Sequence, residues 1–303
     1  MIRVTIYILA SLAFIIVGIA LYASILFFGG DKLVVGFDDI EVSGNIENYI
    51  FEKESSIQNI APKATKEIIW QDKLIKSATE YSIIFIHGFS TTSYIHEESV
   101  MKIADTLNAN VFFTRLSGHG ASYEGLDKLT AENLLRDTAE AVEIGSRIGN
   151  KVILIGHSLG GALSTLVSAD ANLQKKIHGL VLFAPANSGV TRMTPLMAFA
   201  ALFLNKIEND PVEEFQLPAN QNWDEHFFTT LDTSVFFEAS KIIMATDEVD
   251  YQSITMPLIV FYDENDILVN DGKLRKNYEK WGGLKELHKV EASKSDPTRH
   301  MFP

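Results

Sequence analysis

The sequence Lys151-Val-Ile-Leu-Ile-Gly-His-Ser-Leu-Gly-Gly161 is the stretch from which the fold of this protein can be predicted. It begins with Val152–Ile155, an unbroken apolar run typical of strands that are buried on both faces of a parallel sheet. A Gly-x-Ser-x-Gly turn follows at once, and residues 162–167 then have the spacing of a helix. A strand, this turn and a helix together predict a sharp, strained bend that presents Ser158 as a nucleophile at a helix N-terminus.

A glycine- and serine-rich loop that merely caps a helix would show the same five-residue turn by chance. The buried strand before the turn and the helix after it favour the nucleophile interpretation for Ser158, because the bend requires both elements. The rest of the sequence is therefore interpreted around this residue.

The composition is that of an acidic, cysteine-free globular protein. The 303 residues are enough for one large α/β domain, and the hydrophobic fraction of 47% is ordinary for a protein with a full core. A net charge of −13 argues against nucleic acid or an anionic membrane surface as a partner. The absence of cysteine excludes disulfides, thiolate metal sites and a cysteine nucleophile.

The N-terminal sequence predicts a membrane anchor. Val4–Phe28 carries no charged residue over about 25 positions, which is enough to cross a ~30 Å hydrocarbon layer with some tilt. A cleaved signal peptide with its site at Gly18-Ile-Ala20 is the alternative, but the apolar run continues past that site. The free α-amino group weakly favours an inside N-terminus, so the rest of a single-pass protein would be extracytoplasmic. The predicted segments are an anchor at 1–30, a tether at 31–48 and a domain at 49–303.

Beyond the tether, apolar runs alternate with helical patterns, which predicts a mostly parallel sheet with right-handed crossovers. Short runs at Tyr49–Phe51 and Ile68–Trp70 predict an antiparallel edge of this sheet. Helical patterns cover Glu97–Leu107 and Thr130–Ile148. Further strands are predicted at 81–86, 110–114, 152–155, 178–184, 257–262 and 285–290, and a further helix at 272–281.

Two loops with glycine follow predicted strands. In His87-Gly-Phe89 the glycine would let the backbone approach a ligand closely, whereas a plain turn with a structural histidine is the alternative. The second loop is Arg115–Gly120. His119 could be a metal ligand or a base, but no second histidine or carboxylate has ligand spacing beside it. We therefore predict a structural histidine at this position.

Residues 187–252 interrupt the alternation of strands and helices. They include Leu196–Leu204, which is almost wholly apolar, and two pairs of adjacent phenylalanines. This pattern predicts a helical cap inserted over the carboxyl ends of the strands, where open α/β sheets bind ligands. Most of the apolar residues would form the core of the cap, and some would face a substrate channel.

The C-terminal part carries two candidate acids and two candidate histidines. Asp263 and Asp266 follow a predicted strand, at the place from which an acid can orient a histidine. His288 falls inside the last predicted strand, where the pleat directs its side chain to a sheet face. His300 lies in the loop beyond that strand and can reach towards Ser158.

The order of these motifs resembles the α/β-hydrolase superfamily. The matching motifs are His-Gly-Phe, Arg-x-x-Gly-His-Gly, Gly-His-Ser-Leu-Gly-Gly, Asp-x-x-Asp and a late histidine. The position of the cap is most similar to the monoacylglycerol lipase, lysophospholipase and carboxylesterase branch. The resemblance covers residues 49–300, and it implies an α/β-hydrolase fold with a helical cap insertion.

The resemblance also implies roles for individual residues. Ser158 would be the nucleophile, His300 the general base, and Asp266, the second aspartate of its turn, the acid that orients the base. The N–H groups of Phe89 and Leu159 would bind the developing oxyanion. Family members usually continue into a helix after the histidine, whereas only three residues follow His300 here, so we expect its loop to be weakly held.

These features predict a serine hydrolase that cleaves lipophilic acyl esters, such as monoglycerides or lysolipids, through an acyl-enzyme and without a cofactor or metal. An acyltransferase with the same triad, a peptidase and a non-catalytic lipid-binding protein of the same fold are the alternatives. A haloalkane dehalogenase or epoxide hydrolase would carry aspartate at position 158, and this sequence has serine there.

Overall fold

The computed structural model describes residues 33, 35–121, 128–187, 234–292, 296 and 298–301. The chain divides into two compact units, Met1–Val34 and Val35–Pro303. The predicted anchor at 1–30 and the greater part of the predicted cap lie outside the described residues. Within the ranges that are described, no helix has the length and apolar character needed to cross a membrane.

The described residues of the second unit contain one seven-stranded sheet. Its strands are β1 (Glu67–Ile69), β2 (Thr79–Ile86), β3 (Asn110–Phe113), β4 (Gly149–His157), β5 (Ile177–Phe183), β6 (Leu258–Tyr262) and β7 (Lys285–Lys289). They lie in the order β1-β3-β2-β4-β5-β6-β7, where β1 is antiparallel to β3 and every other neighbouring pair is parallel. The carboxyl ends of β2 to β7 therefore share one edge of the sheet, with β4 at its centre.

One helix precedes the sheet, and the others connect its parallel strands. These helices are α1 (Ile46–Ser55), α2 (Glu97–Leu107), α3 (Ala131–Ile148), α4 (Leu159–Ser168), α5 (Ser234–Ala245) and α6 (Asp271–Lys280). Short 3₁₀ turns are found at Ser93–His96, Thr246–Glu248 and Tyr251–Ser253. Apart from a longer β4 and an α4 that begins three residues earlier than predicted, the ends of these strands and helices agree with the predictions to within two residues wherever a strand or helix was correctly predicted.

Burial of both faces of the sheet explains why the strand sequences are unbroken apolar runs. On one face of the sheet, Ile83 and Phe85 of β2 belong to a cluster that includes Val100 of α2. On the other face, α3 approaches so closely at Gly145 that an added Cβ would lie 2.7 Å from Cγ1 of Ile84. Successive residues of β2 thus face opposite layers of helix, so both faces must be apolar.

The antiparallel edge was predicted correctly at one of its two runs. Residues Glu67–Ile69 pair with β3 in antiparallel register, which confirms that part. The prediction of a strand at Tyr49–Phe51 is wrong, because these residues lie within α1. Asn45 caps this helix by accepting hydrogen bonds from the N–H groups of Glu47 and Asn48, both at 3.0 Å.

The spacing of inward-facing residues in α1 accounts for the error. Ile46, Tyr49 and Ile50 are wholly or partly buried, which is the three- and four-residue spacing of a helix, while Phe51 is 71% exposed. The hydroxyl of Tyr49 donates to Glu140 of α3 at 2.5 Å and fixes the orientation of the helix. A three-residue apolar run does not distinguish this pattern from a strand.

The described part of the predicted cap region is helical and contacts the sheet domain. Phe236 of α5 lies with its ring 5.4 Å from that of Phe89, in the loop after β2. Glu238 accepts a hydrogen bond from the N–H of Ala131 at 2.7 Å, so its carboxylate meets the N-terminus of α3. Helix α5 is thereby held close to the carboxyl ends of the strands.

Candidate active site

Ser158 has a strained backbone between β4 and α4. Its φ and ψ are 53° and −119°, a region that residues with a Cβ rarely adopt. Its N–H donates to the carbonyl of Phe183 at 3.0 Å, and its carbonyl accepts from Gly161 at 2.9 Å. Gly160 lets α4 cross the end of β2, because an added Cβ would lie 2.1 Å from the carbonyl oxygen of Ile86. This is the strand, bend and helix geometry predicted around the serine.

Asp266 and His300 are joined by a short hydrogen bond. The distance from Oδ2 to Nδ1 is 2.6 Å, and the two side chains are only 4% and 6% exposed. The other carboxylate oxygen accepts from the N–H groups of Leu268 and Val269, at 2.7 and 3.0 Å. With Nδ1 donating to the carboxylate, Nε2 of His300 is left as the basic nitrogen.

The loop that carries His300 is held by two further carboxylates. Asp296 accepts from the N–H groups of His300 and Met301, both at 2.8 Å. Asp263, which is buried, contacts the guanidinium of Arg299 at 3.0 Å. In contrast to the expectation of a weakly held loop, the backbone at His300 and Met301 is therefore held by Asp296, and the side chain of the preceding Arg299 is held by Asp263.

The alternative acid and histidine are engaged elsewhere. Asp263 accepts hydrogen bonds from the N–H of Ala292 and from Arg299, and so stabilises the loop after β7 rather than the imidazole of His300. His288 lies in β7 with Nε2 2.9 Å from a carboxylate oxygen of Glu286, and its side chain is 45% exposed. The structure thus pairs the predicted residues, Asp266 and His300, while their catalytic roles stay predictions.

His300 lies against the bend through the residue that precedes the serine. Nε2 of His157 is 3.4 Å from the carbonyl oxygen of His300, and the two rings are 5.1 Å apart. Among the described contacts, no hydrogen bond joins Oγ of Ser158 to a ring nitrogen of His300. Such bonds are often long without substrate, and a close approach of nucleophile and base stays a prediction.

The two segments predicted to form the oxyanion hole both lie close to the serine. A Cβ added to Gly88 would lie 3.2 Å from Cβ of Ser158, so the loop that contains Phe89 passes the serine at close range. Leu159 begins α4, and the first N–H groups of a helix have no acceptor within it and carry the positive end of its dipole. The N–H groups of Phe89 and Leu159 therefore belong to backbone segments close to Ser158, and their role in an oxyanion hole stays a prediction.

Four histidines around the bend are buried and uncharged at neutral pH. Burial is the main cause that lowers the pKa of each, to about 4 for His87 and His96 and well below the ordinary value for His119 and His157. The ring of His96 lies 4.5 Å from that of His157, which in turn contacts His300. An imidazolium formed at His300 would therefore have neutral histidines for neighbours.

The prediction of a structural role for His119 is confirmed by its contacts. Nε2 lies 3.2 Å from the backbone nitrogen of Ser90, and Nδ1 lies 3.1 Å from the carbonyl oxygen of Ser117. Both ring nitrogens are thus used by the backbone. In the part of the chain that is described, histidines and carboxylates form no group of three or more that could hold a metal ion.

Sequence reasoning missed two residues that support the site. The sequence Asp296-Pro-Thr298 carried a signal, because aspartate before proline and threonine favours a turn in which the side chain binds the following N–H groups. His157 carried no such signal. Its contact with His300 joins residues 143 positions apart, which no local pattern reveals.

Comparison with known sequences agrees with this geometry. The sequence pattern of the alpha/beta hydrolase family matches residues 83–271. A protein of Mycoplasma pneumoniae (strain ATCC 29342 / M129 / Subtype 1) named as an esterase/lipase is 33% identical over 108 residues, which is 35% of this chain. The matched region spans 38% of that relative's length.

Solved structures with the same fold match at low sequence identity. A structure described with the metagenome-derived lipolytic enzymes LipS and LipT has a TM-score of 0.63 and 17% identity, over 77% of this chain and 90% of that chain. Monoacylglycerol lipase from Paleococcus ferrophilus has a TM-score of 0.58 and 15% identity, over 75% and 89% of the two chains. A soluble variant of the monoglyceride lipase of Saccharomyces cerevisiae has a TM-score of 0.51 and 12% identity, over 77% and 88%.

The family pattern covers more than half of the chain, from within β2 to the end of β6 and beyond, and includes the strained serine after the central strand. The structural matches share this arrangement of strands and helices. This protein belongs to the α/β-hydrolase family.

Proposed function

We propose that this protein is a serine hydrolase that cleaves carboxylic esters of lipophilic acyl groups. The observation that carries the proposal is the 2.6 Å hydrogen bond between buried Asp266 and His300, whose carbonyl lies 3.4 Å from the ring of His157, the residue before the strained Ser158. A buried acid bound to an imidazole, near a serine at a helix N-terminus, is the arrangement used for acyl transfer. The relative named as an esterase/lipase, which matches 35% of this chain, supports the same chemistry.

In this proposal each group acts at a defined step. Nε2 of His300 takes the proton of Ser158 Oγ as the oxygen attacks the ester carbon, and Asp266 stabilises the resulting imidazolium. The N–H groups of Phe89 and Leu159 bind the oxyanion, each donor contributing roughly 10²–10³ in rate. The alcohol leaves with the proton from the imidazolium, and a water activated by the same imidazole releases the acid.

Apolar side chains close to these groups support a lipophilic acyl chain. Phe89 and Phe236 are partly exposed and lie 5.4 Å apart at the loop that passes the serine. Ile267 and Leu268, which follow Asp266 directly, are 49% and 37% exposed. An acyl chain lying on these side chains would bury apolar surface that water otherwise covers.

The acyl preference can be measured with p-nitrophenyl esters from acetate to palmitate, using the full-length protein in detergent. We expect kcat/KM to rise with chain length, by at most about fourfold for each methylene buried, since burial of one methylene contributes about 0.8 kcal/mol. A maximum at acetate would contradict the lipophilic assignment.

Monoglyceride and lysolipid substrates, assayed with and without an added alcohol, test the natural class of ester and separate hydrolysis from acyl transfer. Free fatty acid as the main product identifies a hydrolase, whereas a new ester of the added alcohol identifies an acyltransferase. Absence of turnover on every ester, with no reaction of Ser158, would favour the non-catalytic alternative.

We also propose that residues 1–30 are an uncleaved membrane anchor, because Val4–Phe28 carries no charged residue. The full-length protein should stay in the membrane pellet after a carbonate wash, while a variant that starts at residue 31 should not. A soluble protein with its mature N-terminus near Leu21 would contradict the proposal.

The predicted extracytoplasmic location of the domain can be tested with a single cysteine in place of Leu284, which is 81% exposed, because the chain has no cysteine of its own. An impermeant maleimide should label this cysteine on intact cells if the domain is extracytoplasmic, and should not label it if the domain faces the cytoplasm.

A further inference from the structure

The carbonyl of Gly88 is held by two donors outside the proposed triad. It lies 2.9 Å from Nδ1 of His87 and accepts from the hydroxyl of Thr91 at 3.2 Å. The described residues contain no cis peptide, so this carbonyl and the N–H of Phe89 point in opposite directions from one planar unit. Two donors that fix the carbonyl therefore also fix the direction of the N–H predicted for the oxyanion hole.

The next peptide is held from a different loop. Ser90 has a φ of 63°, which a residue with a side chain adopts at a cost, and its N–H donates to Nε2 of His119 at 3.2 Å. The imidazole of His119 also packs edge-on against the ring of Phe89, with centroids 6.1 Å apart. The peptides on both sides of Phe89 are thus restrained by side chains.

The hydrogen bonds of both imidazoles define the same neutral tautomer. In His87, Nδ1–H donates to Gly88 while Nε2 accepts from the N–H of Leu116 at 3.1 Å. In His119, Nδ1–H donates to the carbonyl of Ser117 while Nε2 accepts from Ser90. A second proton, on Nε2 of either ring, would point at the backbone N–H that Nε2 now accepts from. Burial also lowers the pKa of both imidazoles.

The arrangement is reciprocal between the loops after β2 and β3. Each loop contributes a histidine that accepts an N–H of the other loop, and the two rings lie 5.0 Å apart. The loop that carries His119 is itself held by Arg115, whose guanidinium donates to the carbonyl of His119 at 3.2 Å and forms an ion pair with Glu54 at 2.8 Å. The side chains of Arg115 and Glu54 are nearly buried, so this ion pair holds the loop of His119 rigidly.

We infer that His119 and Thr91 are positioning residues that aim the N–H of Phe89 at the oxyanion formed on Ser158. Neither side chain would touch the substrate, and each would act through the backbone beside Phe89. The inference rests on the proposed function, because an oxyanion forms only if Ser158 attacks an acyl carbon. Its effect should therefore fall on kcat and leave ground-state binding of the ester nearly unchanged.

A pair of uncharged amide variants separates this role from packing. His119→Gln can place an oxygen near the position of Nε2 and accept from Ser90, whereas His119→Asn reaches only the position of Nδ1. We expect His119→Asn to lower kcat by about 10²-fold with little change in KM, the effect of losing one oxyanion donor, and His119→Gln to stay within the wild-type order of magnitude. Equal losses in both variants, or an unchanged kcat in His119→Asn, would overturn the inference.

A trifluoromethyl ketone gives a second readout, since its adduct with the serine places an oxyanion in the same hole. Its affinity should fall in His119→Asn and be retained in His119→Gln, while the affinity of the corresponding unreactive alcohol should not change. Equal inhibitor affinity in the two variants would also overturn the inference.

Thr91 provides a test that holds even if His119→Asn does not fold. Thr91→Val removes the hydroxyl at nearly constant volume and should lower kcat by about tenfold, the value of one hydrogen bond, whereas Thr91→Ser keeps the donor and should retain kcat. Equal kcat in Val and Ser variants that unfold at the wild-type temperature would overturn the inference. Failure of the proposed function is distinct from these results, because the wild type itself would then hydrolyse no ester.

Discussion

Replacing Ser158 with alanine should lower kcat for ester hydrolysis by roughly 10⁶-fold, the loss found when a triad nucleophile is removed. Alanine keeps the Cβ, so the strained φ of 53° costs the variant no more than it costs the wild type. The bend is held by backbone hydrogen bonds to Phe183 and Gly161 rather than by the hydroxyl. We therefore expect the variant to unfold at nearly the wild-type temperature.

A fluorophosphonate probe and peptide mass mapping identify the reactive serine directly. Labelling is expected at Ser158 in the wild type and should be lost in Ser158→Ala. The matched control is Ser146→Ala, which changes an exposed serine of α3 whose hydroxyl binds only the carbonyl of Glu143. Reaction at any other serine, or full activity of Ser158→Ala, would show that the nucleophile has been wrongly assigned.

Replacing His300 with alanine should cost a similar factor, roughly 10⁶-fold in kcat, because the serine then has no base to take its proton. The KM should change little, since the imidazole acts on the proton and not on the acyl chain. Initial rates over a range of concentrations of the best p-nitrophenyl ester measure both constants.

His288→Ala is the control for that experiment. This histidine is also near the C-terminus, but it lies within β7, is 45% exposed and contacts Glu286. We expect nearly normal activity from this variant. An inactive His288→Ala combined with an active His300→Ala would overturn the assignment of the base and leave the fold unaffected.

Much of the fold could be predicted because its determinants are local. The apolar runs of β2 and β4 are buried on both faces, so their sequences differ from those of helices with one polar side. The bend at Ser158 depends on the residues beside it, since Gly156 and Gly160 must be small for α4 to pack where it does. The helix α1 was missed because its apolar residues are few and its first turn is decided by the cap at Asn45.

The candidate site was only partly predictable, because its members come from separate loops. Asp263 and Asp266 are three residues apart and chemically identical, and their sequence context favours neither strongly. In the structure Asp266 is directed to His300 while Asp263 binds Arg299. That difference arises where the loops after β6 and β7 meet, and so it depends on the order of strands in the sheet.

The sequence by itself determined the α/β arrangement, the bend at Ser158 and the short set of residues from which a triad could be drawn. Only the tertiary structure decided which acid meets which histidine, how Asp296 holds the backbone of His300, and how His119 reaches Ser90. The physical reason is that parallel strands bring their carboxyl ends to one edge of a sheet. Loops far apart in the chain become neighbours there, and the distances between their side chains are set by strand order and register rather than by local sequence.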